Sequence, residues 1–278
     1  MLKRIITAIV AVALFLPVLY FSEYVLFAAV IAGLSLVGTL EMLRCIGVLH
    51  KWLVSAPYLA LAVALPICAF YLTRADVMYV AMFAMTALLL YSFVIMTFSR
   101  GKITLSDTSH AFFTGFYIIA AFTSLCLLRY SSHAGKYVYL ISFIGAWTTD
   151  IFAYFCGRFF GKRKLAPDIS PKKTVAGSVC GTLCCIGVMV LYGFVICRVS
   201  NEAIYADFLM LGISGLLIAV VSQIGDLLMS AIKRNYGIKD YGRLLPGHGG
   251  VLDRFDSVLA VSLVLCLITS LADLFVVS

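Results

Sequence analysis

Long apolar runs alternate with short polar segments along almost the whole chain. Nine of these runs are long enough to cross a bilayer as helices, which requires about 17–25 residues. They cover residues 5–21, 24–40, 54–72, 77–98, 112–128, 137–156, 174–197, 208–228 and 257–277. Only Ser22 and Glu23 separate the first two runs, which predicts a tight helical hairpin. The pattern predicts an all-α polytopic membrane protein with about nine transmembrane helices.

The composition supports this prediction and excludes other classes. Among the 278 residues, 63% are hydrophobic and 12% are charged, whereas soluble domains have about 45–50% and about 25%. These values exclude a soluble domain, a disordered chain, a fibrous repeat and a secreted disulfide scaffold. Lys3 and Arg4 precede the first run, as in a signal peptide, but no Ala-x-Ala-like cleavage site follows. An uncleaved first span is therefore expected.

The basic residues of the loops predict the orientation. With the N-terminus in the cytoplasm, seventeen Lys and Arg residues fall on the cytoplasmic side and four on the other. This positive-inside bias predicts a cytoplasmic N-terminus and an extracytoplasmic C-terminus. The net charge of +8 then lies at the cytoplasmic face, where it attracts anionic lipids and nucleotides. No nucleic-acid partner is implied.

Small residues suggest packing contacts rather than chemistry. The nine cysteines lie mostly in apolar runs and form no Cys-x-x-Cys pair or Cys/His cluster. We expect them to pack between helices, without zinc or redox chemistry. Gly177 and Gly181 are one turn apart in the seventh run, a small-xxx-small pattern that favours close helix contact. This face is expected to pack inside the protomer and to bring Lys172 and Lys173 toward the eighth span.

Two acidic residues lie in or at the border of apolar runs. Asp150 lies in the sixth run and Asp226 near the end of the eighth. Ionisable groups at membrane depth are costly and are functional candidates by default. The alternative is a buried structural carboxylate that pairs with a nearby Lys or Arg.

The loop before the seventh run ends with Ser170, Pro171, Lys172 and Lys173. Ser at the N-cap with Pro at the first helical position is a helix-start signal. Free backbone N–H groups at a helix start, beside two lysines, favour phosphate binding. The lysines could instead anchor the helix at the lipid headgroups.

The segment 230–256 has the densest polar sequence of the chain. Its 27 positions contain five basic residues, three Asp, one His and five Gly. Asp226, Ser230 and Lys233 share one face if the eighth helix continues. Asp253 and Asp256 are three apart at the start of the ninth span. Carboxylates beside cations in a glycine-rich loop suit a magnesium–polyphosphate site.

At these residues the chain resembles the phosphatidate cytidylyltransferases, or CDP-diacylglycerol synthases. The family signature is matched throughout the segment, by Ser230, Ile232, Lys233, Arg234, Lys239, Asp240, Gly242, Leu245, Pro246, His248, Gly249, Gly250, Val251, Asp253, Arg254, Phe255 and Asp256. The segment 170–174 and the pair Gly225-Asp226 also resemble family features. The likeness covers most of residues 140–278, so we expect helices 1–5 in residues 1–136 and helices 6–9 with the catalytic site in residues 137–278.

The resemblance implies condensation of CTP with phosphatidic acid, with a divalent metal ion and usually as a homodimer. We expect Mg²⁺, and a second metal ion is not excluded. The metal-ligand candidates are Asp226, Asp253, Asp256 and, less directly supported, Asp150. The remaining catalytic candidates are Lys233, Arg234 and His248. The substrate-binding candidates are Ser170, Lys172, Lys173, Ser230, Lys239, Gly249, Gly250 and Arg254.

Two alternatives stay open on the sequence alone. A secondary transporter would also have many spans and buried carboxylates, but it predicts broken helices in paired repeats, and no such pairing is visible. A cytidylyltransferase that acts on another lipid phosphate shares the same headgroup chemistry. A CDP-alcohol phosphotransferase is disfavoured, because its Asp-Gly…Ala-Arg…Gly…Asp…Asp run is missing.

Overall fold

The computed structural model describes residue 13 and residues 16–200, 204–244 and 249–277. Helices dominate this part of the chain. They are α1 Val25–Cys45, α2 Trp52–Tyr71, α3 Arg74–Phe98, α4 Leu105–Tyr130, α5 Gly135–Phe160, α6 Val175–Val199, α7 Phe208–Asn235 and α8 Leu252–Leu271. The four short strands are β1 Lys164–Ala166, β2 Ser170–Thr174, β3 Ile204–Ala206 and β4 Phe275–Val277.

All eight of these helices are long and apolar enough to cross a membrane. They correspond to the second to ninth predicted spans, which confirms the all-α polytopic fold. The first predicted span, 5–21, lies mostly outside the described residues. Many large apolar side chains are exposed, such as Phe83 at 76% and Phe98 at 79%. Such exposure is expected where lipid is the solvent.

Several helices begin earlier than the apolar runs. Helix α4 begins at Leu105, seven residues before the predicted 112, because Thr104 and Asp107 form a capping box. Helix α3 begins at Arg74, and the Thr73 side chain accepts a hydrogen bond from the Asp76 N–H. Hydropathy alone misses these turns, because their capping residues are polar.

The predicted helix start at Ser170 is wrong. Residues Ser170–Thr174 form β2, which pairs antiparallel with β1. Helix α6 begins after Thr174, whose hydroxyl accepts a hydrogen bond from the Gly177 N–H at 3.2 Å. The Thr side chain is an N-cap acceptor and is also compatible with extended backbone, so it can end the strand and start the helix.

The ninth predicted span is misplaced at both ends. Helix α8 begins at Leu252 and ends at Leu271. Residues Phe275–Val277 form β4, which pairs antiparallel with β3. A short apolar run can be either a strand or the end of a helix. Here the pairing with β3 makes residues Phe275–Val277 a strand.

The chain divides into two compact units, each with its own packed helices. Unit 1 contains residues 1–131 and 236–255, and unit 2 contains residues 132–235 and 256–278. In unit 1, α1 packs against α2 and α4, and α3 packs against α2 and α4. In unit 2, α5, α6 and α7 pack against one another.

The close contact between α5 and α6 depends on glycine. A Cβ added at Gly177 would lie 2.4 Å from the Ala153 carbonyl oxygen, and one at Gly181 would lie 2.8 Å from that of Thr149. The expectation that this glycine face packs inside the protomer is therefore confirmed, with α5 as the partner.

Two of the cysteines also lie at this pair of helices. Cys156 of α5 and Cys180 of α6 are joined by a disulfide, with their Cα atoms 6.3 Å apart. This corrects the expectation that the cysteines only fill space, since the close approach of the two helices brings these two thiols together. The other seven cysteines form no disulfide.

We expect Gly181→Leu to reduce thermal stability and activity together. The added side chain would force α5 and α6 apart, and overpacking typically costs about 1–3 kcal/mol. The melting temperature and turnover of the purified variant are the measurements. Gly187→Leu is the matched control on the same helix, because nothing lies within 4 Å of a Cβ there. Equal behaviour of the two variants would contradict the packing argument.

Candidate functional site

Asp226 is held in unit 2 by an ion pair and by a side-chain hydrogen bond. It lies on α7, and its Oδ2 is 2.6 Å from Nζ of Lys173 on β2. The Ser230 hydroxyl, one turn further along α7, donates a hydrogen bond to Asp226 Oδ1 at 3.3 Å. Helix α7 continues to Asn235, so the prediction that Asp226, Ser230 and Lys233 share a helical face is confirmed. Lys173 also reaches the eighth predicted span, as expected.

A second pair of carboxylates lies in the same unit. Asp150 Oδ2 of α5 accepts a hydrogen bond from the Ser257 hydroxyl of α8 at 3.0 Å. The neighbouring Asp256 accepts from the Ser257 backbone N–H at 2.8 Å, and it interacts electrostatically with Asp226, Asp150 and Lys233. Three carboxylates and two lysines of unit 2 therefore belong to one electrostatic group.

Two close contacts hold the helices around Asp226. A Cβ added at Gly225 would lie 2.6 Å from Cβ of Ala260, so α7 and α8 touch there. One turn before Asp226, the Gln223 amide nitrogen donates to the Thr182 hydroxyl at 3.2 Å, and Gln223 Oε1 accepts from Ser178 on α6. Gln223 and Ser178 were not predicted from the sequence, in which the available signal was the amide side chain of Gln223 within an apolar run.

In unit 1, Asp253 organises the glycine-rich segment. Its Oδ2 accepts hydrogen bonds from the backbone N–H groups of Tyr241 at 2.8 Å and Gly250 at 3.0 Å. Gly249 has a φ of +85°, and a Cβ there would lie 2.8 Å from the same oxygen. Glycine is required at 249 for both reasons. Asp253 therefore has a structural role in the segment as well as its predicted chemical one.

Glu41 of α1 is a second carboxylate at this segment, and it was not predicted from the sequence. It is only 5% exposed. Its Oε1 accepts from the Val251 N–H at 3.1 Å and its Oε2 from the Leu252 N–H at 3.0 Å. Glu41 directly follows the second predicted span, which ended at residue 40, and an acidic residue beside an apolar run was its signal in the sequence.

Most of the other predicted site residues are exposed to the surroundings. Lys172, Arg234, Lys239 and Arg254 are exposed, and Ser170 and Lys233 are half-buried. His248 lies outside the described residues. Their roles stay predictions, as do the assignments of metal ligands. Within the described ranges, no group of three or more His, Cys, Asp or Glu side chains is arranged to hold a metal ion.

The arrangement within unit 2 suits the binding of anions and cations together. Carboxylate oxygens are the donors that hard divalent cations prefer, and lysine side chains bind phosphate as point charges. The ion pair of Lys173 with Asp226 holds one residue of each kind in place.

Comparison with known proteins gives a consistent result. The sequence model of the cytidylyltransferase family matches residues 2–272. The phosphatidate cytidylyltransferase of Staphylococcus haemolyticus is 32% identical over 267 residues, covering 93% of this chain and 95% of the relative. The protein of the same name from Staphylococcus epidermidis is 34% identical over 264 residues, with the same coverage.

Proposed function

The chain belongs to the cytidylyltransferase family, and we propose that it is a membrane-embedded phosphatidate cytidylyltransferase. It condenses CTP with phosphatidic acid to CDP-diacylglycerol and pyrophosphate. The observation that carries this proposal is the similarity to enzymes of that name over 93% of the chain. Family membership also favours an enzyme over the transporter alternative.

The reaction joins two anions, so charge neutralisation and alignment are the main tasks of the site. A phosphate oxygen of the lipid attacks the α-phosphorus of CTP, and the bond between that phosphorus and the bridging oxygen of the leaving pyrophosphate breaks. A phosphate monoester is ionised near neutral pH, so no general base is required. Lys172, Lys173, Lys233 and Arg234 are suited to hold phosphate oxygens. Lys173 is already oriented by its 2.6 Å contact with Asp226.

Mg²⁺ is the proposed cofactor, and the donor set fits it chemically. Asp150, Asp226 and Asp256 offer hard oxygen ligands, and Mg²⁺ is usually held by one or two carboxylates together with water and substrate phosphates. In the described part of the chain no three such side chains are arranged to hold a metal ion by themselves, which is compatible with coordination shared with water and substrate. When bound, the ion would neutralise charge on the CTP phosphates.

Incubation of the purified protein with CTP, phosphatidic acid and Mg²⁺ tests the activity and the cofactor. We expect CDP-diacylglycerol and pyrophosphate in equal amounts, loss of turnover in excess EDTA and recovery when Mg²⁺ is restored. Full turnover in EDTA after metal removal would contradict the metal proposal. A strong preference for a polyprenyl phosphate would instead support the other lipid acceptor.

We further propose a bacterial inner-membrane location, a site that faces the cytoplasm and a homodimer. The first is supported by the eight apolar helices and by the bacterial relatives. The orientation is supported by the seventeen-to-four distribution of basic residues. Labelling of a cysteine introduced at the exposed Lys239, from each side of sealed vesicles, tests the orientation, and labelling only from the extracytoplasmic side would contradict it. Crosslinking in detergent tests the dimer.

A further inference from the structure

Glu41 occupies an unusual position for a carboxylate. It lies in the last turns of α1, is 5% exposed and bonds two backbone N–H groups of a segment more than 200 residues away in the chain. These groups belong to Val251 and Leu252, where α8 begins. The first N–H groups of a helix have no partner within the helix, so Glu41 supplies the acceptors that α8 lacks.

Two glycines of the same segment make room for this carboxylate. A Cβ added at Gly242 would lie 2.2 Å from Glu41 Oε1. A Cβ added at Gly250 would lie 2.3 Å from Oε1 and 2.5 Å from Oε2. Neither glycine has a positive φ, so backbone conformation does not explain them. The space occupied by Glu41 does.

The same segment holds Asp253. The Gly250 N–H, which precedes the two groups bound by Glu41, donates to Asp253 Oδ2 at 3.0 Å. The two carboxylates thus bind three successive N–H groups, at residues 250, 251 and 252. A change at Glu41 should therefore move the backbone that positions the Asp253 carboxylate.

We propose that Glu41 is a positioning residue for cytidylyl transfer, which fixes the turn at 249–252 and thereby the carboxylate of Asp253. This inference rests on the proposed function and on the sequence-based prediction that Asp253 takes part in it. Glu41 acts through the backbone and contacts no substrate. Reacting groups must be held closely, and a displacement of about 1 Å can cost about 10²-fold in rate.

The test is Glu41→Gln, which keeps the size but places an amide NH₂ against a backbone donor. We expect kcat to fall at least about tenfold. We also expect hydrogen–deuterium exchange in the peptide with Val251 and Leu252 to accelerate at least about tenfold, while peptides of α4 stay unchanged. The matched control is Glu23→Gln, a carboxylate of the same unit that is 69% exposed. It should match the parent in both measurements.

A double-substitution cycle tests the reason for Gly250. Gly250→Ala should reduce kcat and melting temperature strongly in the parent, but much less in the Glu41→Ala background, where the clashing oxygens are gone. If Gly250→Ala has the same effect in the parent and in Glu41→Ala, the two residues act independently and the inference is overturned. Should Glu41→Gln not be recovered from membranes, Gly242→Ala replaces it, because its Cβ displaces the carboxylate without any change of charge.

The outcomes separate the two proposals. A parent enzyme without CTP-dependent turnover would contradict the proposed function. An active parent with unchanged kcat and unchanged exchange in Glu41→Gln would contradict only the role of Glu41. Faster exchange with an unchanged kcat would make Glu41 a structural cap and would also overturn the inference.

Discussion

Asp226→Asn is expected to lower kcat by at least about 10²-fold while the protein still inserts and folds. Loss of one electrostatic contact in a transition state usually has an effect of this size. The substitution preserves the shape of the side chain but removes the charge that pairs with Lys173 at 2.6 Å. It also removes one of the carboxylates proposed to hold the metal ion.

Turnover of CTP by the purified variant, with its melting temperature as a check of folding, is the measurement. Asp273→Asn is the control, because Asp273 is an exposed carboxylate of the same unit. The control is expected to keep the activity of the parent. An Asp226→Asn enzyme as active as the control would remove Asp226 from the site and make its ion pair with Lys173 a structural one.

Asp253→Asn should have an effect of similar size for a different reason. The Asn side chain retains an oxygen that can accept from Tyr241 and Gly250, so the glycine-rich segment should keep its fold. Activity is expected to fall at least about 10²-fold, because the charge is lost. If Asp253 binds the metal ion, higher Mg²⁺ should restore part of the activity.

Lys172→Ala, which removes an exposed lysine, is expected to behave differently from Asp253→Asn. This variant should raise an apparent KM for CTP or phosphatidic acid, and extra Mg²⁺ should not help it. Lys172→Arg should retain more activity than the Ala variant, because the charge survives. A fully active Asp253→Asn enzyme at low Mg²⁺ would make the prediction of Asp253 as a metal ligand wrong and leave Asp226 and Asp150 as the next pair to test.

The capping residues of the helices can be recognised in the sequence, but hydropathy alone placed the predicted helix starts without them. The Thr104–Asp107 capping box is present in the sequence and accounts for the early start of α4. At Ser170, by contrast, a correct local rule gave the wrong answer. Ser-Pro is a common helix start, but pairing with β1 keeps the segment extended until Thr174.

Asp226 and Glu41 show the same difference between what the sequence reveals and what it hides. Asp226 was predicted as a site residue because a charge at membrane depth needs a reason, and its partner Lys173 was expected nearby. Glu41 obeys the same rule, yet an apolar run that ended at residue 40 placed it in a loop. A boundary error of five residues in α1 concealed the residue.

The sequence by itself determined the membrane fold, the helices α1 to α8 with their ends within seven residues, and the segment that carries the family resemblance. Apolar length and polar composition are local properties, so a linear pattern suffices for them. Tertiary structure alone decided which distant groups meet: Glu41 with Val251 and Leu252, Asp150 with Ser257, and β4 with β3. These contacts depend on how helices pack in three dimensions, and no periodicity in the chain encodes a hydrogen bond across 210 residues.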